Sequence, residues 1–438
     1  MNTTVLAPDF KATPFWWDSA PPPEAPETPL PASTDVAIVG SGYTGIAAAL
    51  TLARGGRSVQ VLEAEVPGYG ASTRNAGFVG CQMWSKFAPL VERVGLTRAA
   101  ALSNEAVAAH RYVVELIERE QIACQFTYSG RFIAAHSPTS YESLGREVEL
   151  LKRHAKLDCD LVPRARQREE MATDFFHGGM IIRLSGHLHP GQYYRGLFER
   201  ARSAGATIHA KTPVTRLVRE PDGQFTLSTP RGIIKAREVI VATNGYTGGL
   251  LPWLRRRIIT VHTGIAVSEP LGQERVREIL PTLRTMIDTR MNPISIRPMP
   301  GGDRLQFTAA RGLFIPDPAI KAAEILDEVK RALPQLSDIR MEYCWTGQMG
   351  FTFDKLPHIG QRDGIRYAMG YCGTGLPMAT WLGRKLALRI LGDGDAMTAL
   401  DDRPFPTRVF YRGNPWFLPA VVRWYGYKDR RDLRRAAR

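Results

Sequence analysis

Residues 35–63, DVAIVGSGYTGIAAALTLARGGRSVQVLE, decide the fold of this chain. An apolar run typical of a buried strand leads into a glycine-rich turn, a helix of small residues and a second strand ending at Glu63. Gly40 allows the tight turn, Gly42 leaves room for a pyrophosphate against the backbone, and Gly45 lets the helix pack on the strand. The stretch predicts a βαβ dinucleotide-binding unit. A carboxylate at Glu63 suits an adenosine ribose hydroxyl and disfavours a 2′-phosphate, so FAD or NAD is preferred to NADP.

A second segment, residues 70–77 (GASTRNAG), follows this unit closely. Small residues mixed with Ser, Thr, Arg and Asn predict a loop whose amides and side chains can reach phosphate or flavin-ring oxygens. An NAD domain needs nothing at this place, whereas a flavin that runs back toward the centre of the protein does. By itself, the segment is equally compatible with a polar loop that only caps a helix.

Two further segments return the chain to the dinucleotide unit. Residues 238–245 (EVIVATNG) predict a buried strand that ends in a turn. Residues 370–377 (GYCGTGLP) predict a glycine turn that opens a helix with Pro377 in its first turn. Such a helix start favours negative charge, for instance that on the pyrimidine end of a reduced flavin. An ordinary glycine turn before a helix is the structural alternative.

Composition excludes several classes of protein. With 438 residues, 44% hydrophobic and 23% charged, the chain is a globular protein of two or three domains and not a disordered one. No stretch is apolar over the length of a membrane span, and no secretory signal is recognised. Five cysteines without a CxxC pair predict neither a disulfide framework nor a zinc site. We expect a cytoplasmic enzyme without a metal.

The net charge of +14 is spread along the chain apart from one dense basic cluster, residues 423–438. A solvated tail is the first interpretation of this cluster, and a contact with a membrane or a protein is the second. Nucleic acid is not expected as a partner, because the sequence shows no patch that combines basic with aromatic residues.

The first 34 residues are expected to form an arm and not a domain. Repeated prolines between positions 21 and 31 favour an extended polyproline conformation. Phe15, Trp16 and Trp17 predict an aromatic latch that packs the arm on the body. Residues 85–175 have the apolar spacing of helices.

Taken together, these motifs resemble the D-amino-acid-oxidase superfamily of FAD-dependent oxidoreductases, with ATNGYT at residues 242–247 and FDKLPHIG at residues 353–360 completing the series. The resemblance covers nearly the whole chain. It implies an α/β FAD-binding Rossmann-like domain of the glutathione-reductase type, joined to an α+β substrate domain on a mixed or antiparallel sheet. It assigns residues 35–90, 180–250 and 340–438 to a discontinuous FAD-binding domain, and residues 91–179 and 251–339 to the substrate domain.

The resemblance also implies the reaction. The C–N bond of an amine or amino acid is oxidised to an imine, with hydride passing to flavin N5 and the two electrons then passing to O2, a quinone or another electron-transfer acceptor. Two alternatives stay open: a D-amino-acid or N-methyl-amino-acid dehydrogenase, and a flavin-binding subunit without a substrate of its own. Some relatives attach flavin through a histidine or a cysteine where this chain has Asn75 and Trp345, so non-covalent FAD is expected. Gln306 stands where sarcosine-oxidising relatives have a lysine that favours reaction with oxygen, which argues against fast oxidase activity.

The residues implied around the cofactor come from every motif described above. They are Gly40, Gly42, Tyr43, Thr44, Gly45, Glu63, Ala64, Gly70, Ala71, Ser72, Arg74, Asn75, Ala76, Gly77, Val214, Ala242, Thr243, Asn244, Gly370, Gly373, Thr374, Gly375 and Leu376.

Four residues are candidates for the catalytic side of the site: Arg297, Trp345, Gln348 and Tyr371. Arg297 and Arg311 suit a substrate carboxylate, because a guanidinium can bind one bidentately. A structural ion pair is the alternative for each arginine. Trp345, Gln348 and Tyr371 suit a wall around an amine, and a place in the core is their alternative.

Overall fold

The computed structural model describes residues 5–312 and 317–436, with the side chains of 310–312 and 436 excepted. Arg311, considered above as a carboxylate ligand, therefore has its side chain outside the described part. The described chain folds around two large β-sheets and a short two-stranded ribbon, β4 (Phe78–Val79) with β8 (Gly186–His187).

The first sheet contains the dinucleotide-type unit. Its strands, numbered along the chain and given in spatial order, are β10 (Arg216–Arg219), β11 (Phe225–Thr229), β12 (Gly232–Val241), β2 (Ser33–Val39), β3 (Val59–Leu62) and β9 (Thr207–His209), with β19 (Ile365–Met369) and β18 (His358–Arg362) beside β12. β9, β3, β2, the end of β12 and β19 pair in parallel, whereas β10, β11 and the start of β12 form an antiparallel meander. Val36, Ile38, Val59 and Val61 are fully buried, as a parallel sheet covered on both faces requires.

The second sheet, called here the large sheet, forms the other half of the molecule. In spatial order its strands are β1 (Leu6–Lys11), β17 (Met341–Phe351), β13 (Ile259–Ser268), β16 (Leu305–Gly312), β15 (Ser295–Pro298), β14 (Thr285–Asp288), β5 (Arg131–Ala134), β7 (Gly179–Ile182) and β6 (Cys159–Val162). Most neighbours are antiparallel, and the pairs β1–β17 and β14–β5 are parallel. This mixed sheet and the Rossmann-like first sheet confirm the expected fold class.

Helices pack against both sheets. They are α1 (Trp16–Ser19), α2 (Tyr43–Arg54), α3 (Ala71–Arg74), α4 (Phe87–Val94), α5 (Leu96–Arg119), α6 (Pro138–Leu150), α7 (Pro190–Ser203), α8 (Pro252–Arg255), α9 (Gln273–Ile279), α10 (Pro318–Ala332), α11 (Gly375–Leu391) and α12 (Leu418–Ala436). α2 joins β2 to β3 and packs against α11, whose Gly383 has no room for a Cβ because the Thr44 carbonyl oxygen lies 2.3 Å from that position. α10 packs its buried Ile325, Leu326 and Val329 on one face of the large sheet, which leaves the opposite face for the site described below.

Strand pairing differs from the expected division of the chain at three places. β1 lies within the expected arm, and β17 and most of β7 lie within ranges expected for the FAD-binding domain, yet all three pair in the large sheet. β17 runs antiparallel to β13 over its whole length, from Ser268↔Met341 to Ile259↔Phe351. We therefore propose a division in which β1, β7 and β17 belong to the substrate domain.

Two local predictions from the sequence can be compared with the structure. The helical interpretation of residues 85–175 holds for α4, α5 and α6 but is wrong for β5 and β6, which are strands of only four residues. The aromatic latch forms as expected: Trp16 is fully buried, and its ring packs edge-on against Trp345. The five cysteines are buried free thiols. In the described residues, the helices are too short or too polar to cross a membrane.

Candidate active site: a crevice between the two sheets

A cavity of about 550 Å³ separates the carboxyl ends of the parallel strands from one face of the large sheet. Ligands of open parallel sheets bind at this edge. Gln348 and Tyr371 line the cavity, whereas Arg297 and Trp345 do not. The residues implied around the cofactor line it with four exceptions, each next in sequence to a lining residue: Gly45, Gly77, Gly370 and Thr374.

The glycine turn between β2 and α2 leaves no space for side chains. A Cβ on Gly45 would lie 2.0 Å from the carbonyl oxygen of Gly40, and Gly40 itself has a φ of +100°. A Cβ on Gly42 would approach Ser72 Oγ to 3.1 Å at the cavity wall. The helix therefore packs directly on the turn, and Gly42 itself places no side chain between the helix N-terminus and the cavity. This is the cradle that a pyrophosphate needs.

Glu63 closes the strand β3 beside this turn. Its Oε2 accepts hydrogen bonds from the backbone N of Ser41 at 2.8 Å and from Ser41 Oγ at 2.6 Å, and its Oε1 accepts one from the N of Glu65 at 3.0 Å. Glu63 and the neighbouring Val214 both line the cavity. The carboxylate is thus fixed in orientation at the adenosine end, where it can accept a further hydrogen bond from a ribose hydroxyl.

The loop of residues 70–77 is tied to the helix start by its own polar side chains. Ser72 Oγ accepts a hydrogen bond from the N of Tyr43, the first residue of α2, at 2.9 Å. Asn75 donates through Nδ2 to the carbonyl oxygens of Ala71 and Ser72, and its Oδ1 accepts from the N of Gly77 at 2.8 Å. The Asn75 side chain thus stabilises the loop.

The N-terminal arm holds the same loop from outside. Trp16 Nε1 donates to the carbonyl oxygen of Asn75, and Trp17 Nε1 donates to Thr73 Oγ1, both at 3.0 Å. The guanidinium of Arg74 lies between the rings of Trp17 and Tyr69, 4.5 and 4.7 Å from their centroids. Arg74 is therefore held in the cavity wall by two cation–π contacts.

Asn244 and Tyr371 connect the segments of residues 238–245 and 370–377 to the rest of the crevice. Asn244, with a φ of +40°, accepts a hydrogen bond through Oδ1 from the N of Gly370 at 2.8 Å. The hydroxyl of Tyr371 donates to the carbonyl oxygen of Ala368 and lies 2.6 Å from Thr44 Oγ1. Burial raises the pKa of Tyr371 above its ordinary value and that of the neighbouring Cys372 thiol to about 12. Both groups stay protonated at neutral pH.

The wall opposite the dinucleotide unit is a row of side chains across the large sheet. Ile265 on β13 pairs with Thr308 on β16, which pairs with Ser295 on β15, and Thr263 shares the face of Ile265 two residues away. All four line the cavity. Within the described part of the chain, Thr263 Oγ1, Ser295 Oγ and Thr308 Oγ1 are buried without a hydrogen-bond partner. Buried hydroxyls are normally paired, so these three are unsatisfied groups in the cavity wall, and a rotation about χ1 would be needed to turn each oxygen toward a bound molecule.

Sequence reasoning missed this row. The strand alternation of residues 258–267 indicates that Thr263 and Ile265 share a face, but it does not say which face meets the cavity. Ser295 and Thr308 become neighbours only through the register of β15 on β16. No motif marks them.

Arg297 lies behind the site and not in it. Its side chain is fully buried and donates through Nε to the carbonyl oxygen of Pro298 and through Nη1 to those of Ala76 and Leu188, at 2.8 to 3.1 Å. Its guanidinium lies 5.3 Å from the Trp16 ring centroid. Burial lowers its pKa to about 9, and among the described residues no carboxylate lies within ion-pair distance. In this position Arg297 neither reaches the cavity as a carboxylate ligand nor forms an ion pair within the described residues. It donates its hydrogen bonds to backbone carbonyl oxygens.

Gln306 and Trp345 support the same loop. Gln306 pairs with Arg297 across β15 and β16, and its Nε2 lies 3.4 Å from the carbonyl oxygen of Ala76. Trp345 Nε1 donates to the carbonyl oxygen of Arg74 at 2.8 Å. Both side chains are buried and do not line the cavity, so Trp345 is not in the wall that was expected around an amine.

The donor set of the crevice fits FAD and no metal. The cradle at Gly42, the fixed carboxylate of Glu63 and the loop of residues 70–77 contribute to the lining of one cavity, and they are the features that a pyrophosphate, an adenosine ribose and a flavin require. The described residues contain no group of histidine, cysteine or carboxylate side chains that could hold a metal ion.

Comparisons with known proteins agree with this geometry. A family model described as FAD dependent oxidoreductase matches residues 35–389. Gamma-glutamylputrescine oxidoreductase of Escherichia coli is 29% identical over 378 residues, which cover 85% of this chain and 88% of the relative. Glycine oxidase of Geobacillus kaustophilus is 27% identical over 365 residues, which cover 81% and 92%.

Solved structures share the fold. Glycine oxidase from Geobacillus kaustophilus superimposes with a TM-score of 0.70 at 22% identity, covering 86% of this chain and 99% of that one. L-proline dehydrogenase from P. horikoshii does so with a TM-score of 0.69 at 18% identity, covering 85% and 96%. The family match spans most of the chain, and the crevice carries the cofactor cradle that the family needs. This chain belongs to the FAD-dependent oxidoreductase family of the D-amino-acid-oxidase type, and it is a flavoenzyme that acts on amine or amino-acid substrates.

Proposed function

We propose that this enzyme oxidises the C–N bond of an amine to an imine, and that its substrate is an amine of the γ-glutamylputrescine class, whose carboxylate lies far from the reacting nitrogen. The observation that carries this proposal is the row of unpartnered hydroxyls, Thr263, Ser295 and Thr308, on the large-sheet wall. The chemistry that FAD supplies when bound is acceptance of a hydride from the carbon beside nitrogen.

The charge of the substrate wall favours an amine over an α-amino acid. Among the described large-sheet residues that line the cavity, none is charged. An α-amino acid brings a carboxylate to within one carbon of the reacting bond, and a buried carboxylate without a cationic partner is costly. Arg297, the cation of this sheet nearest in sequence to Ser295, is engaged with backbone carbonyls instead, and Arg74 in the cavity lining is held between the rings of Trp17 and Tyr69. Neutral hydroxyls suit an uncharged amine or the amide of a longer substrate.

The protein's part in the chemistry is to orient and to exclude water. The hydroxyls of Ser295 and Thr308 can accept or donate one hydrogen bond each toward the substrate nitrogen or an adjacent polar group. Ile265, on the side of Thr308 away from Ser295, presents an apolar surface to the substrate carbon chain. A wall of this composition removes water from an ammonium group, which lowers the pKa of the amine and favours the neutral form that can release a hydride.

FAD is proposed to be non-covalent. Asn75 is held by three hydrogen bonds within its loop and has no nucleophilic atom. No histidine is found among the described lining residues. The thiol of Cys372, which lines the cavity, is hydrogen-bonded to the Thr352 hydroxyl, and burial raises its pKa to about 12. A thiol in that state is a poor nucleophile.

We propose that the preferred electron acceptor is not O2. We also propose that the enzyme works in the cytosol. Gln306 supplies no cation at the strand position where the resemblance would place a lysine. The five buried free thiols suit a reducing compartment. Slow reoxidation by air of substrate-reduced enzyme, and fast reoxidation by a quinone analogue, is the expected pattern.

The test is anaerobic mixing of the purified yellow protein with matched compounds while the flavin absorbance is followed. The panel is γ-glutamylputrescine, putrescine, glycine, sarcosine and D-alanine. Bleaching by γ-glutamylputrescine or putrescine at a rate at least tenfold above that of the amino acids supports the proposal. Faster bleaching by an amino acid would replace it with the amino-acid dehydrogenase alternative, and failure of every compound would favour a subunit without a substrate.

A further inference from the structure

The C-terminal helix α12 is fastened to the body along one face only. Asp429 is buried, and its two carboxylate oxygens accept hydrogen bonds from the backbone N atoms of Met291 and Asn292 at 2.8 and 3.0 Å. Asn292 in turn donates through Nδ2 to the carbonyl oxygen of Val422. These contacts fix which face of the helix points inward.

The outward face of α12 combines arginine with aromatic residues. The rings of Trp424 and Tyr427 stack with centroids 5.8 Å apart, and Lys428 Nζ lies 5.4 Å from the Trp424 centroid. Of the two acidic residues of the helix, Asp429 is buried, and Asp432, whose side chain is 39% exposed, forms an ion pair with Arg431 at 3.5 Å. The exposed side chains repeat at the spacing of a single helix face and are Arg423, Trp424, Tyr427, Arg430, Arg431, Arg434 and Arg435. The expectation that no basic patch contains aromatic residues is therefore wrong for this helix.

The segment before α12 exposes large apolar side chains. Phe410 is 84% exposed, Val409 79% and Trp416 68%. Single exposed apolar residues are ordinary on protein surfaces. Three of this size, in the chain segment that leads into an arginine–aromatic helix face, are not, and each costs free energy in water that a partner would recover.

We propose that residues 409–435 form a docking surface for an anionic lipid bilayer. Arginine side chains are attracted to anionic headgroups, and Trp and Tyr prefer the boundary between headgroups and acyl chains, where one edge of the ring is wet and the other apolar. Phe410 and Val409 supply apolar side chains that can enter that boundary. The surface is independent of the crevice and of the function proposed for it.

Two other occupants fit these residues less well. Nucleic acid would match the arginines and could stack on the aromatic rings, but the exposed Val409 offers nothing to a base or a phosphate. A second copy of the chain would bring two arginine-rich faces together in a symmetric contact, and the partly exposed carboxylate on the described part of α12, Asp432, is already paired with its own Arg431. A bilayer accommodates both the cationic and the apolar side chains at once.

The test measures partition of the FAD-loaded enzyme into vesicles by flotation. Phosphatidylcholine vesicles are compared with vesicles that contain phosphatidylglycerol, at low and at high salt. We expect binding at least tenfold stronger to the anionic vesicles, with most of the difference lost at high salt. Equal affinity for the two compositions, or no binding to either, would overturn the proposal.

Matched variants decide whether this surface is responsible. Arg423→Gln/Arg430→Gln/Arg434→Gln is expected to weaken partition by about a hundredfold. Arg57→Gln/Arg216→Gln/Arg277→Gln removes the same charge from exposed arginines elsewhere and is expected to change it by less than about threefold. Tyr427→Ala is expected to weaken vesicle partition more than Tyr128→Ala, which removes a similarly exposed tyrosine away from this surface. Flavin absorbance and the melting temperature show that each variant is folded.

Three results would contradict the assignment. Equal losses from the two arginine triples would mean that net charge and not this face attracts the lipid. Binding of RNA or duplex DNA that depends on Arg423, Arg430 and Arg434, without vesicle binding, would assign the face to nucleic acid. A dimer in sedimentation experiments that these substitutions dissociate would assign it to a second copy.

Discussion

The two walls of the crevice are built in different ways. On the dinucleotide wall the polar side chains already have protein partners: Glu63 binds the turn at Ser41, Ser72 binds the start of α2, and Asn244 binds Gly370. On the large-sheet wall, Thr308 and its neighbours Thr263 and Ser295 are buried without a partner in the described chain. The first wall is preorganised around a cofactor held mainly by backbone. In the function proposed above, the second offers its unpaired hydroxyls to the substrate.

The largest effect is expected from Gly42→Val on the dinucleotide wall. A branched side chain would meet Ser72 Oγ and fill the space beside the helix N-terminus, so FAD content should fall by more than tenfold while the chain still folds. The measurement is the ratio of flavin to protein absorbance after purification. Gly394→Val is the matched control, because nothing lies within 4 Å of a Cβ there. A fully flavin-loaded Gly42→Val would show that the cradle is misassigned.

The next largest effect is expected from Arg297→Met. This substitution distinguishes a residue that stabilises the cavity wall from one that binds the substrate. The substitution leaves the carbonyl oxygens of Ala76 and Leu188 without their buried donor, so we expect a loss of about 2–4 kcal/mol in the free energy of unfolding. Denaturant unfolding of the FAD-loaded protein measures it. Because Arg297 does not line the cavity, an amino acid and its decarboxylated amine should change in KM by the same factor. A selective loss for the carboxylated partner would restore Arg297 as a carboxylate ligand.

The pH dependence of flavin reduction should follow the substrate and not the protein. Burial raises the pKa of Tyr371 and of Cys372, so both remain protonated over the neutral range, and no histidine is present in the described lining. Only the neutral amine releases a hydride, so the reduction rate should rise about tenfold per pH unit until the pKa of the bound amine is passed. Anaerobic rapid mixing with two amines of different pKa checks this. A midpoint that stays the same for both amines would indicate a titrating group of the protein.

Much of the dinucleotide wall was predictable, because its residues are adjacent in sequence and each has a local reason. Gly40, Gly42 and Gly45 are required by one turn, and Glu63 ends the strand that follows it. The loop of residues 70–77 comes next in the chain and contributes to the lining of the same cavity. Local sequence therefore carries both the geometry and the chemistry of this wall.

The large-sheet wall was not predictable, because its residues meet only through strand register. Ile265, Thr308 and Ser295 come from three strands, and a shift of one residue between β15 and β16 would turn Ser295 to the other face. Arg297 illustrates the same limit: its residue type suits a carboxylate, but the register places it under Ala76 and Gly77, beside the arm. Short strands such as β5 lie within sequence of helical spacing and form because the sheet supplies their partners.

The most direct test measures two affinities of Ser295→Ala/Thr308→Val side by side. The first is the dissociation constant of FAD, and the second is the apparent dissociation constant of the amine from anaerobic flavin reduction. The account predicts FAD affinity within about twofold of the unsubstituted enzyme and amine affinity weaker by about 5- to 50-fold, from two lost hydrogen bonds. Weakened FAD affinity with an unchanged amine constant would contradict the assignment of one wall to the cofactor and the other to the substrate.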